Sequence, residues 1–236
     1  MAGVKPVPIV ALDVPDMARA LEMVKRLGDS CEFYKVGGEL FTASGPAVVE
    51  ALRLQGKRVF LDLKFHDIPN TVRSAARSAA ACGASLITVH ATGGRTMVAA
   101  AVEGAGPDCG VLAVTILTSF DGPGLSEAMG KPVGSVTDEV MRLAALSLDA
   151  GAYGVVCSGQ ESARVVQDFG GRLATLVPGV RLAGDSVDDQ SRVVTPADAA
   201  RAGASFIILG RTVTAAQEPI AAMRRVREEL GALTPS

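Results

Sequence analysis

The segment LDLKFHDIPNT, residues 61–71, carries charges at the end of an apolar run. Asp62, Lys64 and Asp67 fall within a span of six residues, although a strand that only filled a core would carry no such cluster. Neighbouring carboxylates stabilise the charged form of a lysine and hold its ammonium group by hydrogen bonds. Such a lysine can deliver a proton to a defined position, so this segment is the first candidate catalytic site.

Two further charges belong to other apolar runs. Asp13 closes the first run of the chain, and Lys35 lies in or at the end of the second. Residues two apart on a strand point to the same side, so Asp62 and Lys64 are expected to share a face. One such charge alone would most simply be a solvated residue or half of a structural ion pair. Four charges of alternating sign from three strands favour a catalytic network instead.

An alternating network of this kind suits decarboxylation. A fixed carboxylate repels an anionic carboxyl group of a substrate, and an ammonium group stabilises the carbanion that remains and can then protonate it. The residues therefore predict loss of carbon dioxide followed by proton transfer.

The elements that position these residues follow a repeated pattern. Short apolar runs alternate with Ala-rich amphipathic segments, which is typical of parallel strands covered by helices. Strands are predicted at 8–14, 33–38, 58–64, 85–91, 110–117, 154–159, 173–179 and 206–210, and helices, among others, at 16–27, 71–82, 137–149 and 195–201.

Three helix-to-strand junctions resemble one another: ACGASLITVH, DAGAYGVVCS and RAGASFIILG. In each, a left-handed glycine is predicted to end the helix, with a strand two or three residues later. Eight such units in 236 residues favour α/β architecture as a single-domain (β/α)8 TIM barrel over 1–236. A doubly wound open sheet stays an alternative, because repeated units do not show that a sheet closes.

Arginines follow the last two predicted strands, in PGVR at 178–181 and LGRTV at 209–213. In barrels these two strand ends often bind phosphate, because glycine lets backbone amides approach and arginine donates two hydrogen bonds. A glycine and an arginine occur at the ends of both strands, which favours phosphate binding over the alternative of a turn glycine and a solvated arginine. The polar segment between them, 182–192, is predicted to close over the site.

The segment from Asp62 to Thr71 resembles the active-site signature of the orotidine 5′-phosphate decarboxylases, D-x-K-x-x-D-I-P-N-T. The resemblance covers the whole chain, and its compact spacing is similar to that of the bacterial branch. It implies decarboxylation of orotidine 5′-monophosphate (OMP) to UMP, the last step of pyrimidine nucleotide synthesis, without a metal or an organic cofactor. The other matching positions are Asp13, Lys35, Thr118, Arg181, Gln190, Gly210 and Arg211.

The resemblance also implies roles for the residues around the reacting ring. Lys64 would donate the proton to C6, and Asp62 would lie beside the departing carboxylate. Lys35 would complete the charge network and contact the ribose, Asp13 would bind the ribose hydroxyls, and Thr118 would contact the pyrimidine.

Other residues are implied at the phosphate and at a subunit boundary. Gln190 would contact both phosphate and base from the closing segment, and Arg211 would donate to the phosphate oxygens. In the family, the residues that match Asp67, Ile68 and Thr71 reach into the active site of a second subunit. The resemblance therefore implies a homodimer with shared active sites.

Composition argues against several other classes of protein. The net charge is −2 and no basic cluster is present, so no nucleic-acid partner is expected. No segment approaches the roughly 20 uncharged apolar residues of a membrane helix. The N-terminus lacks the features of a signal peptide, and the four cysteines form no CxxC pair, so a reduced, cytoplasmic location is predicted. His66 and His90 lack a third ligand at metal-site spacing.

Two competing interpretations use the same residues. Keto-gulonate phosphate decarboxylases and hexulose phosphate synthases share the D-x-K-x-x-D core but lack I-P-N-T after it, and they are usually metal-dependent. A catalytically silent barrel could serve as a binding or scaffolding subunit, but Asp62 and Lys64 are both present. The full signature favours the orotidine 5′-phosphate decarboxylases.

Overall fold

Eight parallel strands pair in chain order, and the last pairs with the first, which closes the sheet into a barrel. This computed structural model describes residues 5–182 and 194–231. The predicted (β/α)8 barrel is confirmed, and the open doubly wound sheet is excluded. The strands are β1 (Val7–Ala11), β2 (Phe33–Gly37), β3 (Arg58–Phe65), β4 (Leu86–His90), β5 (Gly110–Val114), β6 (Gly154–Val156), β7 (Ala174–Val180) and β8 (Phe206–Leu209).

Helices cover the outside of the barrel between successive strands. The four predicted helices begin and end within two residues of observed ones. The helices of the described chain are α1 (Met17–Leu27), α2 (Gly38–Ser44), α3 (Ala47–Leu54), α4 (Pro69–Ala81), α5 (Gly94–Ala105), α6 (Gly122–Met129), α7 (Val136–Asp149), α8 (Gly159–Phe169), α9 (Pro196–Arg201), α10 (Arg211–Thr214) and α11 (Pro219–Gly231). Among them, none combines the length and apolar character needed to cross a membrane.

Short polar residues fix where helices begin. Asp16, which was predicted to be the first residue of α1, precedes the helix, and its carboxylate accepts a hydrogen bond from the Arg19 N–H at 2.9 Å. Thr195 plays the same part before α9, where it exchanges hydrogen bonds with Asp198. These contacts satisfy N–H groups that have no partner within the helix.

Glycine ends the repeated units as predicted. Gly83, Gly151 and Gly203 have φ values of 91°, 80° and 73°, a left-handed conformation that costs glycine little. The next strand begins three residues later in each case. The same local sequence pattern therefore connects a helix to the next strand of the barrel three times.

Several strands end earlier than predicted. β1 ends at Ala11, β5 at Val114 and β6 at Val156, each three residues before the apolar run ends. An apolar run marks burial as well as strand structure, and Ile116 beyond β5 is still buried, with 7% of its surface exposed. As a consequence, Asp13 lies two residues beyond its strand.

The interior of the barrel is filled by side chains from alternate strand positions. They form an apolar layer separate from the larger core between the sheet and the helices. This layer fills the barrel below the carboxyl ends of the strands and forms the floor of any site at those ends. Its buried members are Ile9, Ala11, Phe33, Phe60, Leu86, Leu112, Leu176, Phe206 and Ile208.

All four cysteines are free thiols. Cys82 is half-buried and the other three are buried. Burial raises the pKa of Cys31 and of Cys157, and it raises that of Cys109 to about 11. These three side chains therefore act as small apolar groups of the core.

Gly104 sets the distance between α4 and α5. A Cβ atom at this position would lie 2.1 Å from the carbonyl oxygen of Arg73, which is backbone and cannot rotate away. We expect Gly104→Ala to lower the free energy of unfolding by about 1–3 kcal/mol, because the packing clash outweighs the better helix propensity of alanine. Urea denaturation followed by circular dichroism measures this change.

A second glycine provides the control for that substitution. Gly122 begins α6, and a Cβ there would meet no atom within 4 Å. Gly122→Ala should change the free energy of unfolding by no more than about 0.5 kcal/mol. Equal stability of the two variants would contradict the packing explanation.

Candidate active site

A cavity of about 360 Å³ opens at the carboxyl ends of the strands, directly above the apolar layer inside the barrel. Its wall combines apolar side chains, most of them on or just after β5, β6, β7 and β8, with charged side chains on or just after β1, β2, β3, β7 and β8. Eight of the predicted site residues line it together: Asp13, Lys35, Asp62, Lys64, Thr118, Arg181, Gly210 and Arg211.

Four of these residues form a continuous chain of alternating charge. Lys35 Nζ lies 2.7 Å from Asp13 Oδ1 and 4.0 Å from Asp62 Oδ2, and Lys64 Nζ lies 2.8 Å from the same Asp62 oxygen. The side chains of Lys35 and Asp62 are 11% and 13% exposed, whereas that of Lys64 is 40% exposed. Of the two lysines in this network, Lys64 therefore has the ammonium group that is more accessible to a molecule in the cavity.

Gly37 makes room for this ion pair network. A Cβ atom there would lie 3.0 Å from Lys35 Nζ and 3.3 Å from Asp13 Oδ1. A larger residue would push against both charged groups. The sequence reasoning did not assign Gly37, although a glycine two residues after a strand lysine, in YKVGG, is a signal that could have identified it.

The backbone at Lys64 departs from regular strand geometry. Its φ is +50°, a left-handed conformation that costs an L-residue about 1–2 kcal/mol, and the pairing of β3 with β4 shifts register between Leu61 and Phe65. The simple alternation expected for Asp62 and Lys64 therefore does not hold at this point. The two side chains nevertheless meet, because the bulged backbone turns the ammonium group toward the carboxylate.

Thr88 lies beneath this bulge, and sequence reasoning missed it. The residue is only 1% exposed, and its hydroxyl bonds both the Lys64 N–H and Asp62 Oδ1 at 2.9 Å. The one available signal was a polar side chain inside the apolar strand LITVH, two residues after Leu86 and therefore on the same, interior face of the strand.

Two histidines lie beside the charge network. The ring centroids of His66 and His90 are 5.4 Å apart. Burial lowers the pKa of His90, the charges of His66 and Lys64 lower it further, and Asp62 opposes them. His90 is therefore favoured in its neutral form. In the two described stretches, no group of three or more His, Cys, Asp or Glu side chains is arranged to hold a metal ion.

The arginine side of the cavity is built by an irregular end of β7. The pairing of β7 with β8 shifts between Val177 and Val180, and Gly179 between them has a φ of +70°. Arg181 follows, and its backbone N–H donates to the Val194 carbonyl at 3.1 Å. Its side chain lines the cavity, and its Nε is buried without a hydrogen-bond partner among the described residues.

Arg211 brings a second guanidinium group to the same cavity, immediately after Gly210 at the start of α10. β7 is four strands from β3 in the closed ring of eight, so Arg181 faces Asp62 and Lys64 across the mouth of the barrel. Gln190 and most of the predicted closing segment lie outside the described residues.

The three residues that the family resemblance associated with a second subunit lie elsewhere. Asp67, Ile68 and Thr71 are exposed around the start of α4 and are not among the residues that line the cavity. Asp67 Oδ1 accepts a hydrogen bond from the Ile68 N–H at 2.6 Å, and 67% of the apolar Ile68 surface is exposed.

The arrangement suits an elongated anionic molecule. Guanidinium groups at one side can bind phosphate oxygens in pairs, and the apolar wall formed by residues such as Ile116 and Ile208 can contact a flat ring. The opposite side offers a fixed carboxylate and an ammonium group next to each other. The cavity can therefore hold a phosphorylated compound with its reactive group at Asp62 and Lys64.

Comparison with known proteins gives consistent matches over nearly all of the chain. Residues 6–226 match the model of the Orotidine 5′-phosphate decarboxylase / HUMPS family. A protein of Anaeromyxobacter sp. (strain K) named orotidine 5′-phosphate decarboxylase is 52% identical over 92% of this chain and 94% of its own. A protein of Nitrosospira multiformis with the same name is 47% identical over 94% of this chain and 92% of its own.

Among solved structures, the chain is similar to the crystal structure of orotidine 5′-phosphate decarboxylase from Lactobacillus acidophilus. The TM-score is 0.85 at 36% sequence identity, and the match covers 96% of this chain and 99% of that one. Barrel closure and strand order are thus shared with a protein of known structure.

Proposed function

The chain belongs to the Orotidine 5′-phosphate decarboxylase / HUMPS family, and we propose that it converts OMP to UMP and carbon dioxide without a metal or organic cofactor. The single barrel is the catalytic domain. In this proposal Lys64 donates the proton that replaces the departing carboxylate at C6 of the pyrimidine.

One observation carries this proposal: the ion-pair network of Asp13, Lys35, Asp62 and Lys64 shares one cavity with two arginines, and Arg181 lies across that cavity from Asp62 and Lys64. OMP has a phosphate at one end and a carboxylate on its ring at the other. Phosphate bound by the arginines would place the ring against the apolar wall and its carboxylate near Asp62.

The reaction needs one bond to break and one to form. The bond between C6 and the carboxylate carbon breaks, its electron pair stays on C6, and carbon dioxide leaves. The Lys64 ammonium then transfers a proton to C6 and later regains one from solvent. Asp62 contributes repulsion toward the substrate carboxylate and holds Lys64 at 2.8 Å, and a positioned proton donor contributes about 10²–10⁴ to the rate.

The remaining residues bind the parts of the substrate that do not react. Lys35 and Asp13 contact the ribose hydroxyls, and Thr118 contacts the pyrimidine ring. Their joint position in the cavity supports these roles. The phosphate is bound by Arg181, Gly210 and Arg211, and Gln190 contacts both phosphate and base.

The proposed working form is a homodimer in which each subunit completes the other's site. Asp67, Ile68 and Thr71 supply the contributed residues, and their exposed position outside the chain's own cavity supports this role. Such a contact would remove the exposed apolar surface of Ile68 from water. The proposed setting is cytoplasmic, with OMP as small-molecule partner and no nucleic-acid or membrane partner.

Direct assay tests the proposed reaction. Purified protein is mixed with OMP in the presence of EDTA, and UMP formation is followed by its absorbance change. Turnover that is unaffected by EDTA is expected, because none of the steps above uses a metal. Folded, dimeric protein that leaves OMP unchanged would refute the proposal and would direct attention to the metal-dependent sugar-phosphate reactions of the same family.

A further inference from the structure

We infer that Thr88 is a positioning residue that couples the backbone of Lys64 to the carboxylate of Asp62. The inference rests on the proposed function, because it concerns the same proton donor. No role for Thr88 follows from the sequence signature, which lies entirely on β3 and the start of α4.

The bulge in β3 leaves Thr88 opposite several residues of that strand. Leu61 pairs with Ile87 and Phe65 pairs with Val89, so the three residues 62–64 stand opposite the single residue Thr88. In regular parallel pairing, alternate N–H groups of β3 would donate to carbonyl groups on β4 and the others would point to β2. At the bulge, the Thr88 hydroxyl accepts the Lys64 N–H at 2.9 Å instead.

The surroundings of Thr88 determine the direction of its single hydroxyl proton. The Lys64 N–H is a donor, so the hydroxyl oxygen accepts there. Asp62 Oδ1 is 2.9 Å away, and an ionised carboxylate can only accept. The hydroxyl proton therefore points to Asp62, and one side chain bridges the two functional residues of β3.

This bridge also determines which carboxylate oxygen holds the lysine. Thr88 engages Oδ1 of Asp62, and Oδ2 is left to accept from Lys64 Nζ at 2.8 Å. The Thr88 hydroxyl thus stabilises the left-handed backbone of Lys64. It also orients the Asp62 carboxylate, which in turn positions the Lys64 ammonium group. Loss of the hydroxyl would release both constraints, and displacement of a reacting group by about 1 Å can cost about 10²-fold in rate.

Thr88→Val tests the inference, because valine keeps the branched shape and removes only the hydroxyl. We expect kcat for OMP to fall by about 10²-fold, with KM changed by less than about threefold. Thr88→Ser retains the hydroxyl and should stay within about fivefold of the wild-type kcat. A Thr88→Val enzyme with wild-type kcat would overturn the inference.

Thr175→Val is the matched control. Thr175 is fully buried in β7, and its hydroxyl oxygen pairs with Ser162 of α8 at 3.1 Å, away from the cavity lining. Both valine variants lose a buried hydrogen bond, so both can melt at lower temperature, but only Thr88→Val should lose kcat. Equal losses of kcat in the two variants would show a general structural effect and would refute positioning.

Two further measurements keep the test decisive. If Thr88→Val does not fold, Thr88→Ser and Thr88→Ala are compared instead. Both variants lack the γ-methyl group of threonine, and only serine keeps the hydroxyl. Equal kcat values for the two variants would overturn the inference. In crystals, φ of Lys64 should be positive in wild type and should leave that region in Thr88→Val. Unchanged Lys64 and Asp62 geometry would refute the inference even if wild-type protein failed to turn over OMP.

Discussion

Lys64→Ala is expected to lower kcat for OMP decarboxylation by about 10⁴-fold or more, because it removes the proposed proton donor and, with it, the cation that would lie beside the developing carbanion. KM should change much less, since the phosphate contacts proposed for Arg181 and Arg211 would remain. Steady-state assays at saturating OMP, with circular dichroism to check folding, measure this effect.

Two other lysine variants separate the possible causes of that loss. Lys25→Ala changes an exposed lysine in the last turn of α1 and should leave kcat unchanged. Lys64→Arg keeps a positive charge but has a guanidinium group that holds its proton too tightly to donate it. We expect Lys64→Arg to stay nearly as slow as Lys64→Ala. Substantial recovery with arginine, or a Lys64→Ala enzyme within about tenfold of wild type, would contradict proton donation by Lys64.

Orotidine, which lacks the phosphate, is expected to react with kcat/KM about 10⁴-fold lower than OMP, and kcat itself should fall. Charge-assisted hydrogen bonds contribute about 1.5–3 kcal/mol each, and Arg181 and Arg211, which line the cavity, are the proposed phosphate ligands. Binding energy from this remote group can be used to hold the pyrimidine against Asp62 and Lys64. Equal kcat for the two compounds at saturation would refute this coupling.

Arg211→Ala provides the control for the phosphate effect. It should slow the reaction of OMP strongly and that of orotidine only slightly, because the arginine acts through a phosphate that orotidine lacks. Similar fractional losses with both compounds would mean that Arg211 supports the fold of the site. The two substrates and two enzymes together form a thermodynamic cycle that isolates the contact between Arg211 and the phosphate.

Most of the barrel could be predicted because its signals are local. A glycine that ends a helix, followed by an apolar run, is recognisable from a few residues, and the junctions at Gly83, Gly151 and Gly203 have the expected left-handed backbone. Strand ends were less accurate, because an apolar run continues wherever the chain stays buried. The segment after Val114 and before Leu117 is buried, although it lies outside β5.

The positions of the site residues followed from the strands that carry them, but the geometry between them did not. Sequence placed Asp62 and Lys64 together by assuming a regular strand, and the structure brings them together through a bulge and a left-handed lysine. No local propensity favours that conformation for lysine. It exists because groups distant in sequence hold it, above all Thr88, which is 24 positions away from Lys64.

Residues missed by sequence reasoning share a physical reason. A buried threonine resembles an ordinary member of an apolar strand, and Gly37 resembles an ordinary turn residue. A weak local signal marks each position, but the contribution of each residue depends on which groups lie next to it in space, and those neighbours are known only when several strands are placed side by side.

The left-handed backbone at Lys64 has a consequence for how this sequence can evolve. Glycine would adopt that conformation at almost no cost, so selection for heat resistance alone would favour loss of the lysine and a more stable, inactive barrel. Retention of lysine there sets a local trade-off between stability and activity. Laboratory evolution toward a more robust enzyme should therefore hold β3 constant and seek its gains on the helical shell.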